Sequence, residues 1–291
     1  MRTQQGILWP ERPNGIADGP APMLPTAAPP IVAAEEEQRR TPEKVRRHRH
    51  TIQDLLFAEG LLAARLSTHS DSIEALQREL VSHFRQNSLE TRTRYARSVL
   101  KWFFSDGFDG LARAVWPAYE DEKIESDILR FLYLSAEPIM GACVAQALYP
   151  LGEGMLVSPD YFDRFLADHF GTDPPPKTRD RLKSNLMRLG FLARSRGKPD
   201  RLIPVVPQKT SFLIVLHHLF APKSVRSVEL RTLLAKPFWK YLGYKSEDAV
   251  RNVLREADAA GVIGKYVVAD HLEQVTTCCS LDEWLQRRMR V

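Results

Sequence analysis

The chain has 291 residues, of which 44% are hydrophobic and 26% charged, and its formal net charge is +5. That length suffices for about two domains with a sizeable core, and the ordinary composition excludes collagenous, disulfide-rich and wholly disordered classes. A modest basic excess favours a polyanionic partner, and how it is distributed decides more than its sum.

Residues 1–50 read as a disordered, Pro-rich and basic tail. They hold Pro10, Pro13, Pro20, Pro22, Pro25, Pro29, Pro30 and Pro42 with little apolar periodicity, so ordering them has no burial to offset it. The tail shows no apolar run of the kind a secretory signal carries. It ends in Glu35–Glu37 followed by Arg39, Arg40, Lys44, Arg46, Arg47 and Arg49. Such an arm suits a phosphate backbone, or simply solvation.

Residues 51–157 read as a helical domain. Leu55, Leu56, Leu62 and Leu66, then Ile73, Leu76, Leu80 and Phe84, recur at three- and four-residue spacing, the period of an amphipathic helix. Asp71 or Ser72 is placed to cap the second helix. Ser88-Leu89-Glu90-Thr91 opens a third, which runs through Phe103 to a stop near Gly107. Further helices are expected over Leu111–Val115 and Ile124–Leu134. Pro138 interrupts or begins the helix that ends at Tyr149. No strand signal occurs in residues 51–149.

Residues 158–206 have the order helix, turn, helix, hairpin. Ser158-Pro159-Asp160 is a helix start with Pro at its first position, and that helix ends at Gly171. A second helix spans about Lys177–Leu189 with Gly190 just past its end. Phe191–Ala193 and Leu202–Val206 are the expected strands, joined by a turn over Arg194–Asp200. Residues 207–291 repeat the order, with helices over Thr210–Phe220, Val228–Leu234 and from Ser246 to Gly261. A hairpin of Val262–Ala269 with Leu272–Thr277 follows, then a final helix capped by Ser280. The passage Leu186–Leu192 matches Ala257–Ile263 in layout: helix end, glycine, apolar strand start. The expected fold is therefore mainly α, a helical N-terminal domain followed by two winged helix-turn-helix units with short β-hairpin wings.

Charge is concentrated on the first of those units. Lys177, Arg179, Arg181, Lys183, Arg188, Arg194, Arg196, Lys198 and Arg201 face only Asp180 and Asp200. The segment carries +7, so the remainder of the chain is −2. A recognition helix reads base edges from its early polar residues, and Lys177, Thr178, Arg181, Lys183, Ser184 and Asn185 are available there. Arg194, Arg196 and Lys198 would bring the wing onto phosphate or into the minor groove. The alternative is a solvated basic face on a protein-binding unit. In the second unit Lys245, Arg251 and Arg255 meet Glu247, Asp248, Glu256 and Asp258, so phosphate attraction there is weak and a protein partner is equally reasonable. Arg92, Arg94, Arg97 and Lys101 in the helical domain are candidates either for nucleic acid or for ion pairs with the acidic Glu120–Asp127 stretch. Cations in a helix's first turn oppose its dipole, so helix stability does not explain them.

Enzyme signatures are missing: the chain has no Walker loop, G-x-G-x-x-G, G-x-S-x-G or H-E-x-x-H. Asp168-His169 reads as an ordinary helix end rather than a catalytic pair. The histidines are not at helix-face metal spacing and no C-x-x-C occurs, so no catalytic residue, cofactor or metal is expected. Cys143, Cys278 and Cys279 make no disulfide framework, and the adjacent pair is awkward to bridge. The pair is placed at the end of the last strand, as one buried and one exposed thiol. Phe212–Leu216 and Ile139–Leu148 are too short to span a bilayer, and a reduced, cytoplasmic location is expected.

Three stretches carry a family resemblance: Ser88-Leu-Glu-Thr-Arg-Thr-Arg-Tyr95, Leu129-Arg-Phe-Leu-Tyr133 and Arg181-Leu-Lys-Ser-Asn-Leu-Met-Arg-Leu-Gly190. Over about residues 51–206 the chain resembles BrxA proteins, the small helical and winged-helix components of BREX bacteriophage-exclusion systems. The resemblance implies a non-enzymatic protein that binds double-stranded DNA beside other defence-system proteins. The Pro-rich leader and the second unit depart from that family. A transcription regulator and a structural adaptor with protein-binding winged helices are the alternative readings.

Overall fold

A computed structural model describes residues 52–171, 174–175, 177–194, 199–270 and 272–289. The tail over 1–50 and the wing residues Arg196 and Lys198 lie outside the described residues. The described chain is mainly helical, with two small three-stranded antiparallel sheets.

The first described residues form a non-helical strip, buried at Ile52, Leu55 and Leu56 and exposed at Gln53 and Asp54. Ile52, Leu55 and Leu56 are in the core, yet the first helix, α1, spans Phe57–Ser67. The helical spacing of Leu55 and Leu56 with later leucines is therefore misleading at its start. Backbone groups of this strip bond to side chains about 130 residues away instead of to a helical neighbour. Helix α2 (Ile73–His83) is capped by Ser72, whose Oγ accepts from Ala75 N at 3.2 Å. Ser88 caps α3 (Leu89–Phe103) by the same bond to Thr91 N. Each satisfies one of the donors that a helix start leaves without a partner.

Helix α4 (Leu111–Tyr119) passes through Pro117, and Asp121 caps α5 (Glu122–Ala136) with bonds to Lys123 N and Ile124 N. Pro138 begins α6 (Pro138–Ala142), which continues as a π-helical segment over Cys143–Leu148. Helix α5 is the axis of the molecule. It packs against α1, α3, α4 and α6, and against two later helices, α9 (Lys209–Phe220) and α11 (Phe238–Tyr241). One buried hydrophobic cluster accordingly runs from Ile52 to Leu285. No single helix among the described residues is long and apolar enough to cross a membrane.

The two later segments share a topology. In the first, β1 (Leu156–Val157) precedes α7 (Pro159–Phe170) and α8 (Thr178–Arg188), and β2 (Leu192–Ala193) and β3 (Asp200–Leu202) follow. In the second, β4 (Ser227–Glu229) precedes α10 (Leu230–Leu234), α11 and α12 (Glu247–Ala259), and the hairpin of β5 (Lys265–Ala269) and β6 (Leu272–Thr276) follows. The sheet orders are β1-β3-β2 and β4-β6-β5, so in each the last strand lies between the first and the second. Leu192 pairs with Leu202 and Leu156 with Arg201, while Tyr266 and Val228 flank Val275.

The matching helix ends are real in the backbone. Gly190 and Gly261 adopt φ of 83° and 66°. Phe191 N bonds to Leu186 O and Val262 N to Ala257 O, both at 2.9 Å, and each glycine N–H bonds three residues back. That is the same left-handed, six-to-one closure twice.

Three expectations need correction. Val228 is in strand β4 rather than in a helix, and the helix there begins only at Leu230. The return strand is Asp200–Leu202 and stops before Pro204, which has no N–H to give a ladder. The cations of α3 do not pair with Glu120–Asp127. Among the described residues Lys101 bonds Glu137 at 3.1 Å, while Glu122 pairs with Arg65 and Asp127 with Arg130. The chain ends on α13 (Leu281–Met289), opened by a reciprocal capping box between Ser280 and Glu283. Its Trp284 indole donates to Tyr119 Oη at 2.8 Å, docking the C-terminal helix on α4.

Candidate nucleic-acid interface

Helix α8 is polar on most of its surface, and the structure divides that surface in two. Arg181, Asn185 and Arg188 lie on one face, at the four- and three-residue spacing of a helix. All three bond to the entering strip. Arg181 Nη1 donates to Ile52 O at 3.2 Å, Asn185 Nδ2 to Gln53 O at 2.7 Å, and Arg188 Nη1 to Leu55 O. Asn185 is fully buried. Its Oδ1 accepts from Leu55 N at 2.9 Å, and its Nδ2 also donates to Tyr133 Oη at 2.9 Å. The strip thus behaves as an added strand whose partners are side chains rather than another backbone.

The other predicted cations separate by exposure. Lys183 closes an ion pair with buried Asp200 at 2.6 Å, tying α8 to β3. Arg179 bonds Asp163 of α7 at 2.9 Å across an exposed surface. Arg92 is half-buried and donates to Val81 O at 3.2 Å. Lys177, Arg194 and Arg94 have exposed side chains. Lys177 sits at the N-cap of α8 with φ of 66°, a conformation rare for a side chain that gains no local hydrogen bond from it. Thr178 is buried, so it does not face a ligand.

What sequence spacing could not show is that α3 and α8 contribute to one face. A groove lined by Asp54, Lys177, Asp180, Arg181, Lys183, Ser184, Met187 and Arg194 adjoins a second. The second is lined by Gln53, Asp54, Leu56, Arg94, Tyr95, Ser98 and Arg181. Asp54 and Arg181 belong to both, with Arg181 Nε 3.8 Å from the Asp54 carboxylate. Arg94 also lies over the Tyr95 ring at 5.7 Å. The entering strip is therefore the link between the two basic patches. No local signal in Ile52–Leu56 marks it as such.

A buried polar seam fixes this face on the core. Arg130 of α5 donates to Leu189 O at 2.9 Å and pairs with Asp127 at 2.6 Å. Asp127 in turn accepts from Gln208 N at 3.1 Å, just ahead of α9. Among the described residues the second segment presents no comparable basic face. Arg251 on α12 is held by Glu247, Asp248 and Glu273, and these carboxylates hold its guanidinium charged. His169 is exposed and stacks on Phe165, with ring centroids 6.0 Å apart.

No family model matches the chain, and no curated protein matches it. Among solved structures it is similar to one titled "Magnesium ion-bound SspB crystal structure". The superposition has a TM-score of 0.50 and 13% identity, and covers 82% of this chain and 85% of that one. At that identity the likeness concerns the fold alone.

Proposed function

We propose that this chain is a non-enzymatic accessory protein that binds duplex DNA along the face shared by α3 and α8, largely through phosphate contacts. The observation that carries the reading is the joining of two basic patches, distant in sequence, into one continuous surface around Asp54 and Arg181. The charge concentrated on Lys177–Arg201 supplies the field.

The two segments, β-α-α-β-β and β-α-α-α-β-β, are read as winged helices, since their strand orders and glycine-closed helix ends follow that plan. In the first, the helix that would lie in the major groove has its Arg181–Asn185–Arg188 face committed to the strip. Base readout by those residues is therefore weak, and the exposed Lys177, Arg94 and Arg194 track the backbone. The antiviral-defence setting rests on the BrxA-like stretches alone.

A fluorescently labelled random-sequence duplex tests the reading at low salt. The parent chain is expected to raise its anisotropy with little preference among sequences. The triple variant Arg94→Glu, Lys177→Glu, Arg194→Glu is expected to weaken that binding while keeping its melting temperature. Unchanged binding by the variant would mean that the face is wrong. A strong preference for one palindromic sequence would favour a transcription regulator.

A second reading, a protein-binding adaptor, is favoured by one observation. The β5–β6 hairpin exposes Val267, Val268 and Leu272, an apolar edge that suits a protein partner better than a phosphate backbone.

A further inference from the structure

The sequence offers no metal-ligand spacing, yet the fold brings together a histidine and two cysteines 61 residues apart. His217, near the end of α9, is fully buried and its ring lies 4.5 Å from that of Trp284 on α13. Its Nδ1 is 2.7 Å from Leu213 O, the carbonyl one turn back. That bond places the proton on Nδ1 and leaves the Nε2 lone pair directed elsewhere. Nε2 faces Cys278 Sγ at 4.0 Å, and Cys278 Sγ is 3.3 Å from Cys279 Sγ. The three donor atoms lie within 4.8 Å of one another. Both thiols are free, Cys279 buried and Cys278 half-buried.

We propose that His217 Nε2 and the Cys278 and Cys279 sulfurs form a binding site for a thiophilic divalent cation, Zn2+ being the fitting one. Tetrahedral zinc with Zn–S of about 2.3 Å and Zn–N of about 2.0 Å sets donor separations of roughly 3.8 Å between sulfurs and 3.5 Å between sulfur and nitrogen. The cluster's 3.3 Å between sulfurs and 4.0 Å from Cys278 Sγ to Nε2 need adjustments of about half an ångström, and Cys279 Sγ, within 4.8 Å of Nε2, must approach it by up to about 1.3 Å. Half-buried Cys278 gives the ion an entry path, and the fourth position falls to water.

The Cys278 S–H donates to Val262 O at 3.1 Å, a bond that metal binding would displace. Binding forms two Zn–S bonds and one Zn–N bond and releases the two thiol protons to solvent.

Disulfide formation is the weaker outcome for this pair. Adjacent Cα atoms are about 3.8 Å apart, below the usual span of about 4.4–6.8 Å for a bridge. A bound ion would instead staple α9 to the segment between β6 and α13, and so hold α13 on α4.

Cobalt substitution tests the site on the full chain, reduced and freed of metal with a chelator. Co2+ is expected to give a thiolate-to-metal charge-transfer band and tetrahedral ligand-field bands, saturating at one ion per chain. Zn2+ should abolish both and raise the melting temperature. The Cys278→Ser, Cys279→Ser double variant should show neither band nor the Zn2+-dependent shift. If that variant fails to fold, thiol labelling of the parent serves instead: Zn2+ should protect Cys278 from a maleimide. A parent chain without the charge-transfer band, bands retained in a folded double variant, or labelling unaffected by Zn2+ would each overturn the proposal.

Discussion

Replacing Asn185 by Ala removes a side chain that joins three parts of the chain at once. The substitution leaves Leu55 N and the Tyr133 hydroxyl without their partner inside the core, while Gln53 O is carried by an exposed residue that water can reach. A buried group left unsatisfied costs about 1–3 kcal/mol. Two of them give an expected loss of about 2–6 kcal/mol, with the lower half favoured if water enters the space. At about 2–4 °C per kcal/mol for a chain of this size, the melting temperature should fall by roughly 4–24 °C. Differential scanning calorimetry of Asn185→Ala beside Ser184→Ala provides the assay. Ser184 is only half-buried on the neighbouring face, and its loss should stay within about 0.5 kcal/mol. A change for Asn185→Ala no larger than that of Ser184→Ala would refute the claim that α8 holds the entering strip.

Other outcomes follow from the same geometry. Glu125 is buried with neither carboxylate oxygen hydrogen-bonded, and burial raises its pKa to about 8, against a smaller lowering by Arg65. Because the folded pKa lies above the unfolded one, the unfolded chain loses this proton first. Stability should therefore fall as pH rises from about 4.5 to about 8. Urea denaturation of Glu125→Gln should show a shallower fall over that window, with the variant gaining most at the alkaline end. Gly190→Ala and Gly243→Ala both force a side chain into positive φ, but only at Gly243 would the new Cβ meet Val205, at 2.8 Å. Gly190→Ala should cost about 1–2 kcal/mol and Gly243→Ala measurably more, as read from urea midpoints.

Much of the helical architecture is written locally. Ser72, Ser88 and Ser246 announce their helices because capping is a short-range bond, and the leucines of α2 show the period of the face they bury. Gly190 and Gly261 mark helix ends because few other residues adopt positive φ without strain. The hairpin expected from Val262 forms only from Lys265, and of the adjacent thiols, expected as one buried and one exposed, Cys279 is buried and Cys278 half-buried. Strands of two or three residues, such as β1 and β4, are too short to show a period, and they form only because the sheet beside them supplies partners.

The candidate site was legible in charge and not in arrangement. A row of arginines along α8 looks the same whether it faces phosphate or a backbone carbonyl. The carbonyls that engage Arg181 and Arg188 belong to Ile52 and Leu55, some 130 residues earlier. The convergence of His217 on Cys278 likewise leaves no mark on local spacing.

The salt dependence of duplex binding tests the central claim most directly. Each phosphate contact contributes a slope of about −0.9 in log K against log salt on B-form DNA. Removing Arg94, Lys177 and Arg194 should therefore flatten the slope by about 2.7, with the loss of affinity uniform across sequences. A parent chain whose duplex affinity does not respond to salt, or a triple variant with an unchanged slope, would contradict the account.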